Sequence, residues 1–165
     1  MTTSVANMDI HDIARAARTY GVKRFYIVTP LAAQRKLAEQ IMRHWQTGYG
    51  SQYNPSRKEA FDVTSLCENL DDVKGDIESL SGNAARVVAT GARLQGRRIS
   101  YAGLRNHLSG NSGAWLLIFG TGSGLADEIL KKADYLLEPI KGPEEYNHLS
   151  VRSAIAITLD RLLGK

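Results

Sequence analysis

Apolar and polar positions alternate along the chain with two different periods. Residues 9–20 place Ile10, Ile13, Ala14 and Ala17 on one stripe, the spacing of a helix, with Asn7 or Asp9 to cap it and Gly21 to stop it. Phe25-Tyr26-Ile27-Val28 is a continuous apolar run closed by Thr29-Pro30 and predicts a buried strand. A second helix is expected over residues 31–45. Residues 47–55 are rich in Gly, Tyr and Asn and read as a loop, after which Ser56 can cap a short helix over 57–60. Residues 63–66 form a candidate strand, and 70–80 an acidic, exposed helix.

The second half repeats the alternation. Residues 86–90 predict a strand ending in Gly91, and 101–108 a short helix. Trp115-Leu116-Leu117-Ile118-Phe119 is the most hydrophobic strand candidate; a glycine run over 120–124 follows it, then a helix over 125–132. Residues 135–137 are a last short strand, and Lys141-Gly142-Pro143 marks a loop. The final helix, 149–163, spaces Val151, Ile155, Leu159 and Leu162 for burial. Apolar strands alternating with helices predict an α/β fold with a mainly parallel sheet. No repeat, low-complexity segment or linker breaks the pattern, so the expectation is a single domain over 1–165.

Composition narrows the setting. The chain is 43% hydrophobic and 23% charged, ordinary for a soluble globular protein. Its 165 residues can bury about 70% of their unfolded surface, so neither disulfide nor metal is needed as a staple. The one cysteine, Cys67, cannot form an internal disulfide and suits a reducing compartment; it has no neighbouring base to make it a nucleophile. No apolar run approaches membrane-spanning length, and Met1-Thr2-Thr3-Ser4 lacks the features of a signal peptide, so the expected location is cytoplasmic. His11, His44, His107 and His148 show no metal-ligand spacing, and no metal is expected. Net charge is +4, which makes a polyanionic partner plausible. The charge is unevenly spread: residues 59–80 hold Glu59, Asp62, Glu68, Asp71, Asp72, Asp76 and Glu78, whereas 93–105 hold Arg93, Arg97, Arg98 and Arg105 with no acid among them.

The first candidate for chemistry is Phe119-Gly120-Thr121-Gly122-Ser123-Gly124-Leu125, set between a strand and a helix. Glycines there let backbone approach a ligand, and ligands of parallel sheets bind beyond the carboxyl ends of strands. The spacing is G-x-G-x-G and not the G-x-G-x-x-G of dinucleotide loops, which disfavours an oxidoreductase; a tight strand-to-helix turn would use the same glycines. Ala89-Thr90-Gly91-Ala92-Arg93 and Glu138-Pro139-Ile140 end two further strands, so three loops can line one pocket. Tyr146-Asn147-His148-Leu149-Ser150-Val151-Arg152-Ser153-Ala154 then opens the last helix with polar residues, where Asn147 or Ser150 is either a cap or part of that pocket.

Three of these segments together resemble the SPOUT methyltransferases, and in particular a small bacterial group of S-adenosylmethionine-dependent RNA methyltransferases. They are the strand and glycine loop from Leu117 to Leu125, the Asn-x-x-Ser-x-x-x-Ala lead-in at Asn147, Ser150 and Ala154, and the N-terminal stretch with Asp9-Ile10-His11-Asp12-Ile13-Ala14-Arg15 and Arg18-Thr19-Tyr20-Gly21-Val22. The resemblance implies a Rossmann-like sheet with a C-terminal trefoil knot, a homodimer, S-adenosyl-L-methionine as cofactor, and tRNA or rRNA as substrate. It implies donor contacts from Thr90, Gly91, Phe119, Gly120, Thr121, Gly122, Pro139, Ile140 and Leu149, and catalytic roles for Arg15, Asn147 and Ser150. Arg93, Arg97, Arg98 and Arg152 would hold RNA phosphates, and the segment with Trp45, Tyr49 and Tyr53 would either stack an unpaired base or pack on a partner. The acceptor would be a ribose hydroxyl or a base nitrogen, with Asp9 or Asp12 as a base in the second case. The chain departs from the pattern in three places. Asp9 stands where the ribose branch has Asn, Ser123 stands where that branch often has Glu, and Met1 falls just past the strand with which the group begins, as a truncated start would leave it. A module of the same fold that binds nucleotide or RNA without catalysis is the alternative expectation.

Overall fold

Short apolar runs become parallel strands in both halves of the chain. The computed structural model describes residues 6–110 and 113–165, and its contacts divide them into an N-terminal unit ending at Val73 and a C-terminal unit over Lys74–Lys165. No helix among the described residues is long and apolar enough to cross a membrane.

In the N-terminal unit, helix α1 (Asn7–Thr19) buries Ile10, Ile13, Ala14 and Ala17, the predicted stripe. Its cap position is Ala6, with no side-chain cap. Neither Asn7 nor Asp9 caps it, since both already lie in the first turn, where the Asp9 charge complements the helix dipole. Gly21 leaves the helix at φ +71, a left-handed conformation that favours glycine. Strand β1 (Phe25–Val28) pairs in parallel with β2 (Thr64–Cys67), from Phe25 opposite Thr64 to Val28 opposite Cys67. Between them run α2 (Ala32–Gln46), α3 (Tyr49–Tyr53) and α4 (Pro55–Asp62).

The expectation of a loop over 47–55 is corrected here. Gly48 lets α3 begin hard against the end of α2, because a Cβ on it would lie 2.9 Å from the His44 carbonyl oxygen. Helix α4 also starts earlier than expected. Asn54, not Ser56, caps it by accepting from the Arg57 N–H at 3.0 Å, and Pro55 fills the first helical position, where no N–H is missed. The core gathers Ile10, Ile27, Ala38 and Phe61, with Phe25, Ile41, Met42, Trp45 and Leu66 packed on it.

Helix α5 (Leu70–Ser81) follows, its first turn acidic at Asp71 and Asp72 and its Val73 fully buried. In the C-terminal unit, β3 (Arg86–Ala89) is the centre of a three-stranded parallel sheet, flanked by β4 (Trp115–Ile118) and β5 (Tyr135–Leu136). Among the described residues the strands thus form a two-stranded and a three-stranded parallel sheet. Position in the sheet overrides hydrophobicity. Val87, Val88 and Ala89 of the central strand are buried, whereas the more apolar β4, at the edge, buries only Ile118. Helices α6 (Tyr101–Gly110), α7 (Asp127–Lys132) and α8 (Val151–Leu163) complete the unit. Helix α7 begins two residues later than the apolar pattern suggests, after an extended Ala126. Helix α8 buries Ile155, Thr158, Leu159 and Leu162; Val151, in its first turn, is only half-buried, and Thr158 replaces it in the core opposite the Tyr101 hydroxyl at 3.4 Å. Val88, Leu104, Leu137 and Leu162 form the second core cluster. Since all three strands run the same way, the segments after them leave from one edge of the sheet.

Candidate functional site

At that edge, backbone hydrogen bonds hold the loops together. Thr90, following β3, donates to the Ile118 carbonyl from both its N–H (3.1 Å) and its hydroxyl (2.9 Å). This anchors the start of the β3 loop to the end of β4. The loop after β4 folds back on itself: the Gly124 N–H donates to the Thr121 carbonyl at 3.1 Å, and Gly122 and Gly124 adopt φ of +56 and +88. Gly120 is required for a different reason. A Cβ there would sit 2.4 Å from the Gly124 carbonyl carbon and 2.7 Å from the Leu125 nitrogen. After β5, Leu137 donates to the Ala89 carbonyl and Glu138 to that of Ile99, both at 2.9 Å, while the Glu138 carboxylate accepts from the Tyr101 N–H at 2.8 Å.

Asn147 joins two of these segments. Its side-chain amide Nδ2 donates to the Ile140 carbonyl at 3.0 Å and to the Ala92 carbonyl at 3.4 Å. One side chain ahead of α8 therefore ties the loop after β5 to the loop after β3. Beside it opens a cleft of about 340 Å³, lined by Ala92, Arg93, Lys141, Gly142, Glu144, Glu145, Asn147 and His148. Its charged side chains come in both signs.

Among the sequence-derived candidates, Asn147 and Arg93 line this cleft. Thr90, Gly91, Phe119, Gly120, Thr121, Gly122, Pro139, Ile140 and Leu149 stand in the same three loops and the helix lead-in but do not line it; several are chain neighbours of residues that do, as Gly91 is of Ala92 and Leu149 of His148. Sequence reasoning missed Lys141, Glu144, Glu145 and His148. The signal was present, since the Gly-Pro turn between the last strand and the last helix carries one base and two acids.

Ser150 is the N-cap of α8, accepting from the Ser153 N–H at 3.3 Å, with the two hydroxyls 2.9 Å apart. Arg93, Arg97 and Arg98 are exposed, Arg98 donating to the Leu94 carbonyl at 2.9 Å, and Arg105 donates to the Gly164 carbonyl. Arg152 is half-buried in the first turn of α8. Arg15 belongs to the N-terminal unit, exposed on α1. In the same unit His11 packs edge-on against Trp45 and Phe61, its Nδ1 buried without a hydrogen-bond partner. Burial, and then the Arg57 charge, hold its pKa below the usual histidine value. Among the described residues, no group of three or more His, Cys, Asp or Glu is placed to hold a metal ion.

Solved methyltransferases share this arrangement of parallel strands. The SpoU methyltransferase AviRb from Streptomyces viridochromogenes, solved with its cofactor AdoMet, matches 97% of this chain and 54% of its own at a TM-score of 0.60 and 15% identity, a likeness of fold. The chain belongs to the SAM-dependent RNA methyltransferase family, whose model matches residues 1–164. An uncharacterised protein of Aquifex aeolicus is 41% identical over 165 residues, covering 100% of this chain and 80% of that protein. A tRNA (guanine-N(1)-)-methyltransferase of Nitratidesulfovibrio vulgaris is 45% identical, covering 98% of this chain. The chain spans only 37% of that relative's length.

The family's methyl donor, S-adenosylmethionine, carries an ammonium, a carboxylate and a sulfonium. Glu144 and Glu145 in the cleft wall carry the charge opposite to the donor's cations, and Lys141 the charge opposite to its carboxylate. The residues present fit the donor.

Proposed function

We propose that this chain transfers a methyl group from S-adenosylmethionine to a nucleotide of tRNA or rRNA, acting in the cytoplasm as a homodimer with its C-terminal tail threaded in a trefoil knot. The observation that supports this most directly is the Asn147 amide, which draws the loops after β3 and β5 to one place beside a cleft of mixed charge. The donor supplies an electrophilic methyl carbon that is displaced in line. The work left to the protein is alignment, and a displacement of about 1 Å in such a site costs on the order of a hundredfold in rate.

In this reading Thr90, Gly91, Phe119, Gly120, Thr121, Gly122, Pro139, Ile140 and Leu149 offer backbone and apolar surface to the adenosine, and Asn147 and Ser150 fix the lead-in to α8. Arg15 orients the acceptor through its fixed positive charge. Arg93, Arg97, Arg98 and Arg152 meet phosphates. The apolar side chain left 43% exposed at Leu163 gives a second subunit something to cover. The guanine N1 in the Nitratidesulfovibrio protein's name belongs to a protein most of which lies outside the match, so it does not choose between a base nitrogen and a ribose 2′-hydroxyl.

Mass spectrometry of nucleosides from cells with and without the gene tests the reading and identifies the acceptor: one methylated nucleoside should disappear. With that RNA as substrate, the Arg15→Ala variant should lose transfer while still binding S-adenosylmethionine. A wild-type protein that binds donor and RNA but transfers nothing would instead be the non-catalytic module.

A further inference from the structure

Helix α3 carries the most exposed aromatic pair in the N-terminal unit. Tyr49 and Tyr53 are 74% and 75% exposed, one helical turn apart, with ring centroids 6.3 Å apart and planes inclined by 18°. Neither ring joins the core of the unit, which is built without them. Their support is nevertheless tight. A Cβ on Gly50 would sit 2.7 Å from the Trp45 ring and 2.8 Å from the His44 ring, so α3 is seated directly on the last turn of α2. Burying no ring while fixing the backbone beneath two of them is poor use of aromatic surface for stability, but it preorganises a stacking surface.

The charge of the unit narrows what would stack there. Residues 13–58 hold nine arginines and lysines against one acid, Glu39, with Arg18, Arg35 and Lys58 paired to Glu59, Glu68 and Asp62 just beyond. Arg43, on the last turn of α2, is exposed and pairs with Glu39 at 2.9 Å, a surface pair that a phosphate can displace. Arg57, on α4, lies over the Trp45 ring at 4.9 Å from its centroid and makes no ion pair among the described residues. Flat aromatic faces in a unit rich in cations match a base and its flanking phosphates. A second copy of the chain fits less well, because a two-fold contact would set the same cations against one another.

We infer that Tyr49 and Tyr53 form a stacking platform for an unpaired nucleotide of the RNA substrate, with Arg43 and Arg57 holding the adjacent phosphates. This rests on the RNA methyltransferase reading for the class of ligand. The test compares the full-length wild type with Tyr49→Ala/Tyr53→Ala and Tyr49→Phe/Tyr53→Phe by fluorescence anisotropy, using a short single-stranded RNA and a duplex of the same length. The alanine pair should bind the single strand about tenfold more weakly or worse. The phenylalanine pair should match wild type, duplex affinity should hold, and the salt dependence should keep its slope because no phosphate contact is removed. Unchanged thermal melting and S-adenosylmethionine calorimetry would separate this effect from misfolding. Single-strand affinity unaffected by the alanine pair overturns the inference, as does an alanine pair that changes only the sedimenting species, which would make a second copy the occupant. A wild type that shows no methyl transfer yet loses RNA affinity with the tyrosines would leave the platform standing and remove the enzymatic reading instead.

Discussion

The N-terminal unit keeps its shape by ring and methyl packing around Phe61, and leaves its flat aromatic surface outside at Tyr49 and Tyr53. The C-terminal unit keeps the working edge of its sheet in shape by other means: backbone bonds from Thr90, Leu137 and Glu138, glycine turns, and the two-ended amide of Asn147. Side chains shape the first, and at the sheet edge of the second, above its own core, backbone geometry governs. Under the proposed donor site such loops must not drift, and glycine turns with specific hydrogen bonds supply that without filling the space a ligand needs. Substitutions should therefore act differently in the two units, by lost packing in one and by displaced loops in the other.

The comparison can be broken at its strongest point first. Phe61→Ala removes a fully buried ring and should cost about 3–5 kcal/mol of stability in urea melts. Donor affinity measured well below the transition should remain near wild type; a specific loss of donor binding at intact stability would show that the first unit does more than pack. Gly120→Ala is expected to cost less in stability, about 1–3 kcal/mol, because the new methyl meets backbone that must shift. Its effect on methyl transfer should be larger, about a hundredfold, read from single-turnover rates.

Ser150 sharpens the contrast between a capping and a catalytic role. As the N-cap of α8, it should cost about 1 kcal/mol on change to Ala and only a few tenths on change to Gly, with activity following stability. Equal and complete loss of transfer in both variants, with melting unchanged, would make its hydroxyl catalytic. The smallest effect is expected at His11. Its folded pKa lies below its unfolded value, so between the two the unfolded chain holds more protons. The associated stability is present above the unfolded value, near 6.5, and is lost as pH falls through the folded one. Stability measured from neutral pH downward should therefore decline more in wild type than in His11→Phe.

Much of the local structure was legible because it depends on residues close in sequence. The stripe of Ile10, Ile13, Ala14 and Ala17 is a helix with that face buried, and Phe25–Val28 is a strand with the bounds its apolar run implies. Helix α3 was not legible, since Gly48 and Gly50 read as loop residues until the neighbouring turn of α2 is seen to exclude a Cβ at both. The most apolar run, at Trp115–Ile118, marks a strand but not its place, which is at the edge of the sheet.

For the site, the glycine run and the polar lead-in to α8 could be picked out from the chain alone, and with them the family and its donor. Composition and periodicity set the α/β alternation because burial acts on nearest neighbours along helix and strand. That Asn147 serves as a tie between carbonyls at Ala92 and Ile140, and that Lys141, Glu144, Glu145 and His148 border the cleft, was decided only by the tertiary structure. The bond from Asn147 to Ala92 joins residues 55 positions apart, and no local pattern records which distant carbonyl a side chain will meet.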